Sequence, residues 1–350
     1  MIPLFFATQL LTNSIQFTIE VSVNSFAQKF NVSGQQDFAG VEFPLALVNS
    51  KKDALLPEIL SKLALHRDEL LKQLSTHGAI LFRGFPLVTA EDFDQFISAF
   101  DLPNFTYSES LSNAVRTNRT EKVFTANEAP ASVSIFLHHE MAQTPVYPAK
   151  LFFFCEQAAN SGGATPLCRS DILLDRLKEL DPEFVSLCEG LGVRYSNTMP
   201  ELDDAESGQG RSWHSTLSAE SKEAAEFKLQ ELGYAWEWLG SGDLRVTSPI
   251  LPAVKDFANG RKVFFNQLIA AFRGWKDSRN EKSRAITFGD GSEISRESMT
   301  TAIALSDELS FDVPWQAGDV ALVDNYLVMH GRRPYEGQRR VLASLVAGSL

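Results

Sequence analysis

The chain has little cysteine, and this scarcity excludes two kinds of protein. Its 350 residues include only three cysteines, Cys155, Cys168 and Cys188, and no two of them form a CxxC pair. An odd number without that spacing predicts neither a disulfide framework nor a zinc knuckle. Free thiols are typical of a reducing compartment, so we expect a cytoplasmic protein.

Positive charge is also scarce. The formal net charge is −12, and the sequence pI is about 5.1. Nucleic acids and anionic membrane surfaces attract proteins through concentrated positive charge, so neither is an expected partner. The exception is a group of four arginines near the end of the chain, namely Arg332, Arg333, Arg339 and Arg340. Such a group indicates an anion pocket or, as the alternative, a solvated charged edge.

Long apolar runs are missing as well. No stretch is long and apolar enough to span a bilayer, and the apolar first residues have no Lys or Arg before Lys29, which argues against a signal peptide. Hydrophobic residues make up 44% and charged residues 22%, as in ordinary globular proteins with a core. We expect residues 1–37 to be an N-terminal extension, either poorly ordered or forming an added strand, and residues 38–350 to form one domain.

The sequence consists mostly of short apolar segments separated by residues typical of turns. The spacing of apolar residues over 52–78 predicts a helix, a strand follows it, and Thr89 with Asp92 resembles the capping box of a second helix. From residue 133 onwards many short β-rich runs follow, with helical insertions around 171–192 and 218–233. Many strands without alternating helices predict a mainly β fold, an antiparallel barrel or jelly roll.

A short histidine motif is the strongest chemical signal. In residues 136–141, FLHHEM, strand alternation places His138 and Glu140 on one face and His139 on the other. His330 is the best candidate for a third metal ligand, because it ends an apolar strand just before a glycine. Two imidazoles and one carboxylate leave three positions open on an octahedral iron. The alternative is that these are packing residues. The HExxH motif of zinc proteases is excluded, because Gln143 stands where its second histidine would be.

Five segments, in their order along the chain, resemble the taurine dioxygenase and clavaminate synthase-like (TauD/TfdA) family of iron(II)- and 2-oxoglutarate-dependent oxygenases. They are HGAILFRGFPL (77–87), LHHEMAQTP (137–145), SGGATPL (161–167), NGRKVFFN (259–266) and GDVALVDNYLVMHGRRPYEGQRRVL (318–342). The resemblance covers about residues 40–350. It implies a mainly β fold with helical insertions around a double-stranded β-helix, the jelly-roll core of clavaminate synthase-like proteins.

The resemblance also implies roles for individual residues. His138, Glu140 and His330 would hold iron(II), Arg340 would bind the distal carboxylate of 2-oxoglutarate, and Thr165 would donate a hydrogen bond to the same group. A planar guanidinium suits this task because it meets a carboxylate with two parallel hydrogen bonds. Strand alternation places Arg339 and Arg340 on opposite faces, so only one can point inward. We expect Arg340 to do so, with Arg339 as the alternative.

Because halogenases of this kind lack the carboxylate that Glu140 retains, the resemblance implies hydroxylation or another oxidation. Dioxygen would be consumed and 2-oxoglutarate would be decarboxylated to succinate. The expected substrate is a small molecule such as an amino acid, free or attached to a carrier protein. Candidate residues for its binding are Arg116, Asn127, Trp213 and Arg332.

Two other functional classes remain open on the sequence alone. The first is a non-catalytic or zinc-bound jelly-roll binding protein, in which the histidine motif has no part in catalysis. The second is a metallohydrolase that activates water with the same three ligands, a function in which Arg340 has no obvious purpose.

Overall fold

The computed structural model describes residues 26–105, 111, 116–126, 129–204, 210–257, 260–274 and 285–348. These residues form three larger sheets, three two-stranded sheets and eight helices. The helices are α1 (Leu56–His77), α2 (Ala90–Ser98), α3 (Ser170–Leu180), α4 (Pro182–Leu191), α5 (Trp213–Leu217), α6 (Lys222–Glu231), α7 (Leu268–Gly274) and α8 (Arg296–Glu308).

The largest sheet has seven strands. In spatial order they are β1 (Ala27–Lys29), β4 (Leu45–Asn49), β5 (Ala79–Arg83), β18 (Val320–Asp324), β8 (Pro148–Gln157), β21 (Arg340–Gly348) and β6 (Phe124–Thr125). All neighbours are antiparallel except β4 and β5. Both faces are buried. Phe152 and Phe154 pack in a cluster with residues of α1 and α2, whereas Phe153 belongs to the cluster on the opposite face.

A second sheet supplies the other wall of the site. Its order is β17 (Ser310–Val313), β10 (Thr165–Arg169), β19 (Val328–Arg332) and β7 (Ile135–His138), all antiparallel. The register sets His330 opposite Leu167 on one side and opposite His138 on the other. A Cβ atom at Gly331 would lie 2.4 Å from the Ile135 carbonyl oxygen. The glycine after His330 therefore allows β19 to approach β7 closely.

The remaining strands lie outside these two sheets. The third sheet contains β12 (Ala235–Trp238), β13 (Leu244–Thr247), β11 (Val193–Met199) and β16 (Ile286–Phe288). The two-stranded sheets pair β2 (Gln36–Phe38) with β3 (Val41–Phe43), β9 (Ser161–Gly162) with β20 (Tyr335–Glu336), and β14 (Lys255–Asp256) with β15 (Lys262–Val263).

The predicted helices are present. Helix α1 lies within residues 52–78, and α2 begins with a capping box between Thr89 and Asp92. The first predicted insertion is α3 followed by α4, and the second contains α6, which lies within 218–233. Among the described residues, no helix combines the length and the apolar character needed to cross a membrane.

Of the two forms expected for the N-terminal extension, the described residues show the added strand. Residues 1–25 lie outside the described part of the chain, but residues 26–37 are not separate from the domain. Strand β1 pairs with β4 in the seven-stranded sheet, and Phe26 is 1% exposed in the cluster beneath α1 and α2. Pairing supplies hydrogen-bond partners for this backbone and the cluster buries its apolar side chain, so these residues belong to the fold.

Candidate active site

His138, Glu140 and His330 converge on one point between the two large sheets. Glu140 Oε2 lies 3.5 Å from His330 Nε2 and 3.9 Å from His138 Nε2. One potential ligand atom of each residue lies within 4.8 Å of those of the other two. The strand register explains this convergence, because it makes the two histidines direct neighbours on β7 and β19, while Glu140 follows β7 by two residues.

The histidine tautomer fits a metal at this point. His138 Nδ1 lies 2.8 Å from the Phe136 carbonyl oxygen, so its N–H donates there and the lone pair of Nε2 is left for the centre. Two imidazoles and one carboxylate, all turned to one point, form the donor set that non-haem iron(II) takes, with positions left open. The residues present therefore fit the ion that the sequence predicted.

The electrostatics give these groups the protonation states that metal binding needs. Burial, and then the proximity of His330, lower the pKa of His138 to about 4, so this imidazole is neutral at pH 7. Burial alone would raise the pKa of Glu140, but the positive charge of Arg116 holds it below its usual range. Glu140 is therefore an ionised carboxylate.

His139 points away from the centre, as strand alternation predicted. Its Nδ1 contacts the backbone carbonyl of Asn325, and its Nε2 lies 2.9 Å from the Ser170 hydroxyl. Burial lowers the pKa of His139 to about 3. Because both ring nitrogens of His139 have hydrogen-bond partners, the ring holds the backbone between His138 and Glu140 in place.

Sequence reasoning missed Asn325, whose side chain holds the backbone of Glu140. It is completely buried, and a buried amide must find hydrogen-bond partners, which it does with three backbone groups. The available signal was an asparagine beside an aspartate within an otherwise apolar run, VALVDNYLVMH.

The predicted inward orientation of Arg340 is wrong. Its guanidinium forms a salt bridge with Glu156 at 2.8 Å, and its side chain is 58% exposed. Arg339, the alternative, lines the cavity at the centre instead. Arg339 Nε donates to the Gly163 carbonyl at 2.8 Å. Burial and the nearby Arg332 lower its pKa to about 10, which leaves it charged at neutral pH.

Thr165 stands beside Arg339, and its hydroxyl oxygen accepts two hydrogen bonds. Trp315 Nε1 donates at 3.0 Å, and an Arg339 guanidinium nitrogen lies at 3.4 Å. Because the oxygen has two lone pairs and both are used, the hydroxyl proton points elsewhere and is available to an anion in the cavity. Trp315 was not predicted from the sequence.

The candidate substrate residues divide into three groups. Arg116 and Arg332 line the cavity with the metal-ligand candidates. Arg332 donates to the carbonyls of Ala129, Pro130 and Val133 at 2.7–2.8 Å, so its guanidinium is tied to backbone. Trp213 does not line this cavity but packs against Trp238 and His214 with 2% exposure. Asn127 lies outside the described residues.

The cavity lies between the two large sheets. It measures about 60 Å³, several times the roughly 10–15 Å³ that admits one water molecule. Strands β7, β10 and β19 contribute its polar wall, and β8 and β21 contribute apolar side chains, among them Phe153, Val341 and Ala343. Among the described residues that line the cavity there are three arginines and one carboxylate, a composition that favours an anion.

Comparisons with known proteins find relatives that match most of the chain. The family model described as "Taurine catabolism dioxygenase TauD, TfdA family" matches residues 43–345. A clavaminate synthase-like protein of Arabidopsis thaliana is 40% identical over 291 residues, which are 83% of this chain and 88% of that protein. The dapdiamide synthesis protein DdaC of Enterobacter agglomerans is 32% identical over 313 residues, 85% of this chain and 89% of its own.

A solved structure shares the fold. The crystal structure of the PvcB protein of Pseudomonas aeruginosa aligns with a TM-score of 0.53 at 14% sequence identity, over 91% of each chain. The match of the family model to most of the sequence and the two relatives decide the classification. The predicted class, an iron(II)- and 2-oxoglutarate-dependent dioxygenase, is confirmed at this level: the chain belongs to the TauD, TfdA family.

Proposed function

We propose that this dioxygenase hydroxylates a small organic molecule in the cavity between the two large sheets, with decarboxylation of 2-oxoglutarate to succinate. The observation that carries the proposal is that the three metal-ligand candidates and the Arg339–Thr165 pair line the same cavity. We assign the two facing, mainly antiparallel sheets to a jelly-roll core, because their strands enclose that cavity as a rolled sheet does.

His138, Glu140 and His330 are the proposed ligands of iron(II). When bound, the iron with 2-oxoglutarate supplies the oxidising chemistry, activation of dioxygen for the oxidation of a C–H bond. The chain supplies geometry. Buried strands fix the two imidazoles, and three ligands on one side leave the opposite side open for co-substrate and dioxygen.

Arg339 and Thr165 are the proposed site for the distal carboxylate of 2-oxoglutarate. The guanidinium is already oriented by the Gly163 carbonyl, so little side-chain entropy is lost when the carboxylate binds. Gly163 has a φ of 70°, and a Cβ atom there would lie 3.0 Å from Arg339 Cδ. This explains why a glycine stands in the turn of SGGATPL.

The apolar wall is the proposed place for the C–H bond that reacts. Phe153, whose ring lies 5.2 Å from that of His330, and Val341 exclude water from the metal-ligand candidates. Water exclusion strengthens the electrostatic interactions inside the site and protects it from unproductive side reactions.

The proposed substrate is an amino acid, free or attached to a carrier protein. The cavity's excess positive charge supports a molecule with an acidic group, and its size supports a small one. The relative that is 32% identical is named a dapdiamide synthesis protein, which supports a role in small-molecule synthesis.

The test is oxygen-dependent succinate formation by the iron(II)-loaded protein. Free amino acids, sulfonates and carrier-tethered aminoacyl groups are supplied in turn, and products are examined for one added oxygen atom. We expect at least one class to stimulate succinate release in step with hydroxylated product. An iron-loaded protein that neither binds 2-oxoglutarate, measured anaerobically by its visible charge-transfer absorption, nor forms succinate with any class would refute the proposal.

A further inference from the structure

The two oxygens of the Glu140 carboxylate face different partners. Oε2 is the oxygen turned to the two histidines, at 3.5 Å from His330 Nε2 and 3.9 Å from His138 Nε2. Oε1 instead accepts a hydrogen bond from an Arg116 guanidinium nitrogen at 3.1 Å. Both side chains are nearly inaccessible, with exposures of 6% for Glu140 and 8% for Arg116. The ion pair is therefore shielded from competing water.

This division decides how many positions the carboxylate can fill on a metal. A carboxylate binds through one oxygen or through both. With two histidines and a one-oxygen carboxylate, an octahedral ion keeps three positions, enough for a chelating 2-oxo acid and dioxygen together. A two-oxygen carboxylate would leave two positions, which the chelating co-substrate fills alone.

We propose that Arg116 is a positioning residue that restricts Glu140 to one-oxygen coordination. The inference rests on the proposed metal site and changes the role expected for Arg116, from substrate binding to control of the carboxylate. The guanidinium occupies Oε1, so only Oε2 is left for the ion, and the third open position is preserved.

A glutamate needs this restraint at both ends of its side chain. It has one more rotatable bond than an aspartate, and the free rotamers of such a chain cost entropy to fix. At the backbone, the Asn325 amide accepts from the Glu140 N–H at 2.8 Å and donates to its carbonyl at 3.0 Å. At the carboxylate, Arg116 supplies the second attachment.

Arg116 is itself held in place. Its guanidinium lies over the Phe124 ring, 5.2 Å from the centroid. Phe124 is 3% exposed and belongs to β6, which pairs with β21. The next residue, Thr117, donates its N–H to the Thr125 hydroxyl at 3.0 Å and accepts from the Thr125 N–H at 2.9 Å. A stacked guanidinium on a paired segment has a defined direction, as a positioning residue requires.

The direct test is the coordination of Glu140 in crystals of the protein with Mn(II), an inert substitute for iron(II), and 2-oxoglutarate. In the native protein we expect one carboxylate oxygen on the metal and the other on Arg116. In Arg116→Met, which keeps the apolar stem and removes the guanidinium, we expect both oxygens on the metal. Two-oxygen binding in the native protein, or unchanged one-oxygen binding in Arg116→Met, would overturn the inference.

A solution measurement covers the case in which Arg116→Met does not crystallise. Succinate formation by the iron(II)-loaded protein at saturating 2-oxoglutarate should fall about 10- to 100-fold in Arg116→Met, as is typical when a partner of a metal ligand is lost, because a two-oxygen carboxylate leaves no position for dioxygen. Calorimetry should show that the Mn(II)-loaded variant still binds 2-oxoglutarate, because two positions remain for it. Arg116→Lys keeps the charge and one donor and should recover part of the lost rate. An unchanged rate in Arg116→Met would contradict the inference.

Arg83→Met is the matched control. It breaks another largely buried ion pair, Arg83 with Asp319 at 2.7 Å, outside the cavity lining. It should lower stability and leave the rate of succinate formation by the folded protein unchanged. If the native protein binds neither Mn(II) nor 2-oxoglutarate, the proposed function fails as well. If it binds both with two oxygens of Glu140 on the metal, only the role of Arg116 fails.

Discussion

The Asn325 side chain joins the backbone of Glu140 at both its N–H and its carbonyl. Its Oδ1 accepts from the Glu140 N–H at 2.8 Å, and its Nδ2 donates to the Glu140 carbonyl at 3.0 Å and to the Pro148 carbonyl at 2.7 Å. Since Asn325 follows β18 directly, this amide fixes the metal-ligand segment to the seven-stranded sheet.

Replacing this amide should weaken both stability and metal binding. Asn325→Ala leaves three buried backbone groups without their partner, and each costs about 1–3 kcal/mol. We expect the free energy of unfolding to fall by roughly 3 kcal/mol or more, and the affinity for Mn(II) to fall with it. Urea unfolding and metal titration of the folded protein measure the two effects.

Asn49→Ala is the control for this variant. The Asn49 amide also bridges the N–H and carbonyl of one residue, Lys51, but it lies outside the cavity lining. It should reduce stability without changing the affinity for Mn(II). If Asn325→Ala binds Mn(II) as tightly as Asn49→Ala does, Asn325 has no part in positioning Glu140.

The two neighbouring arginines should behave differently towards 2-oxoglutarate. Arg339→Gln removes a buried cation from the cavity, a loss of about 2–5 kcal/mol in binding, or at least about 30-fold in affinity. Arg340→Gln removes an exposed ion pair with Glu156, which contributes about 0–1 kcal/mol to stability and nothing to the cavity. The KM for 2-oxoglutarate in the succinate assay distinguishes them, and equal values for both variants would contradict the assignment of Arg339.

Removing the Glu140 carboxylate should abolish turnover. Glu140→Ala deletes one of the three proposed ligands and leaves two histidines, so we expect no iron-dependent succinate above background. Circular dichroism should retain the native β-rich spectrum, because the strands on either side keep their pairing. Succinate release by Glu140→Ala at the native rate would show that the carboxylate is not a required ligand.

The buried histidines predict a loss of stability in mild acid for the metal-free protein. Burial lowers the pKa of His138 to about 4 and that of His139 to about 3, against 6.5 for an unperturbed histidine. Between pH 6.5 and 4 these two histidines therefore bind more protons in the unfolded chain than in the folded one, and their contribution to stability rises with pH. Burial raises the pKa of Asp319 and Asp324, which act in the opposite direction, so the histidine contribution is read from a variant that lacks one of the two rings. Each histidine contributes a slope of at most about 1.4 kcal/mol per pH unit.

Urea unfolding of the metal-free protein at several pH values measures this slope. His139→Gln should reduce it by the contribution of one histidine, because the amide does not titrate. The same slope from pH 6.5 to 4.5 in His139→Gln and in the native protein would contradict the prediction. Glu140, with its lowered pKa, adds a loss of stability only below about pH 4.5, so it does not contribute to the slope measured above that pH.

Much of the site could be predicted from local sequence. The structure separates His139 from His138 and Glu140 as strand alternation predicted. Strand β7 ends at His138, however, and at Glu140 the hydrogen bonds to the Asn325 side chain fix the backbone. His330 followed from its place at the end of an apolar strand, and the helix α2 boundary followed from its capping box. These features depend on residues close together in the chain, because the local backbone conformation fixes the direction of neighbouring side chains.

The choice between Arg339 and Arg340 could not be made in the same way. Strand alternation predicts that the two side chains point to opposite faces, but it does not show which of them points into the cavity. The apolar residues of β21 are buried on both faces and do not distinguish the two. Val341 and Ala343 line the cavity, whereas Leu342 packs in the cluster beneath α1 and α2. An apolar pattern on both faces carries no information about direction, and a register shift next to Arg340 interrupts the pairing with β8.

The family, the β-rich class and the three residues that meet at the centre could therefore be predicted from the order of the motifs and from strand periodicity. Three relationships could be seen only in the folded chain: Arg339 faces the cavity, β1 joins the seven-stranded sheet, and Arg116 and Asn325 hold the two ends of Glu140. Those relationships join residues far apart in the chain, and long-range pairing between strands, which no local pattern encodes, sets them.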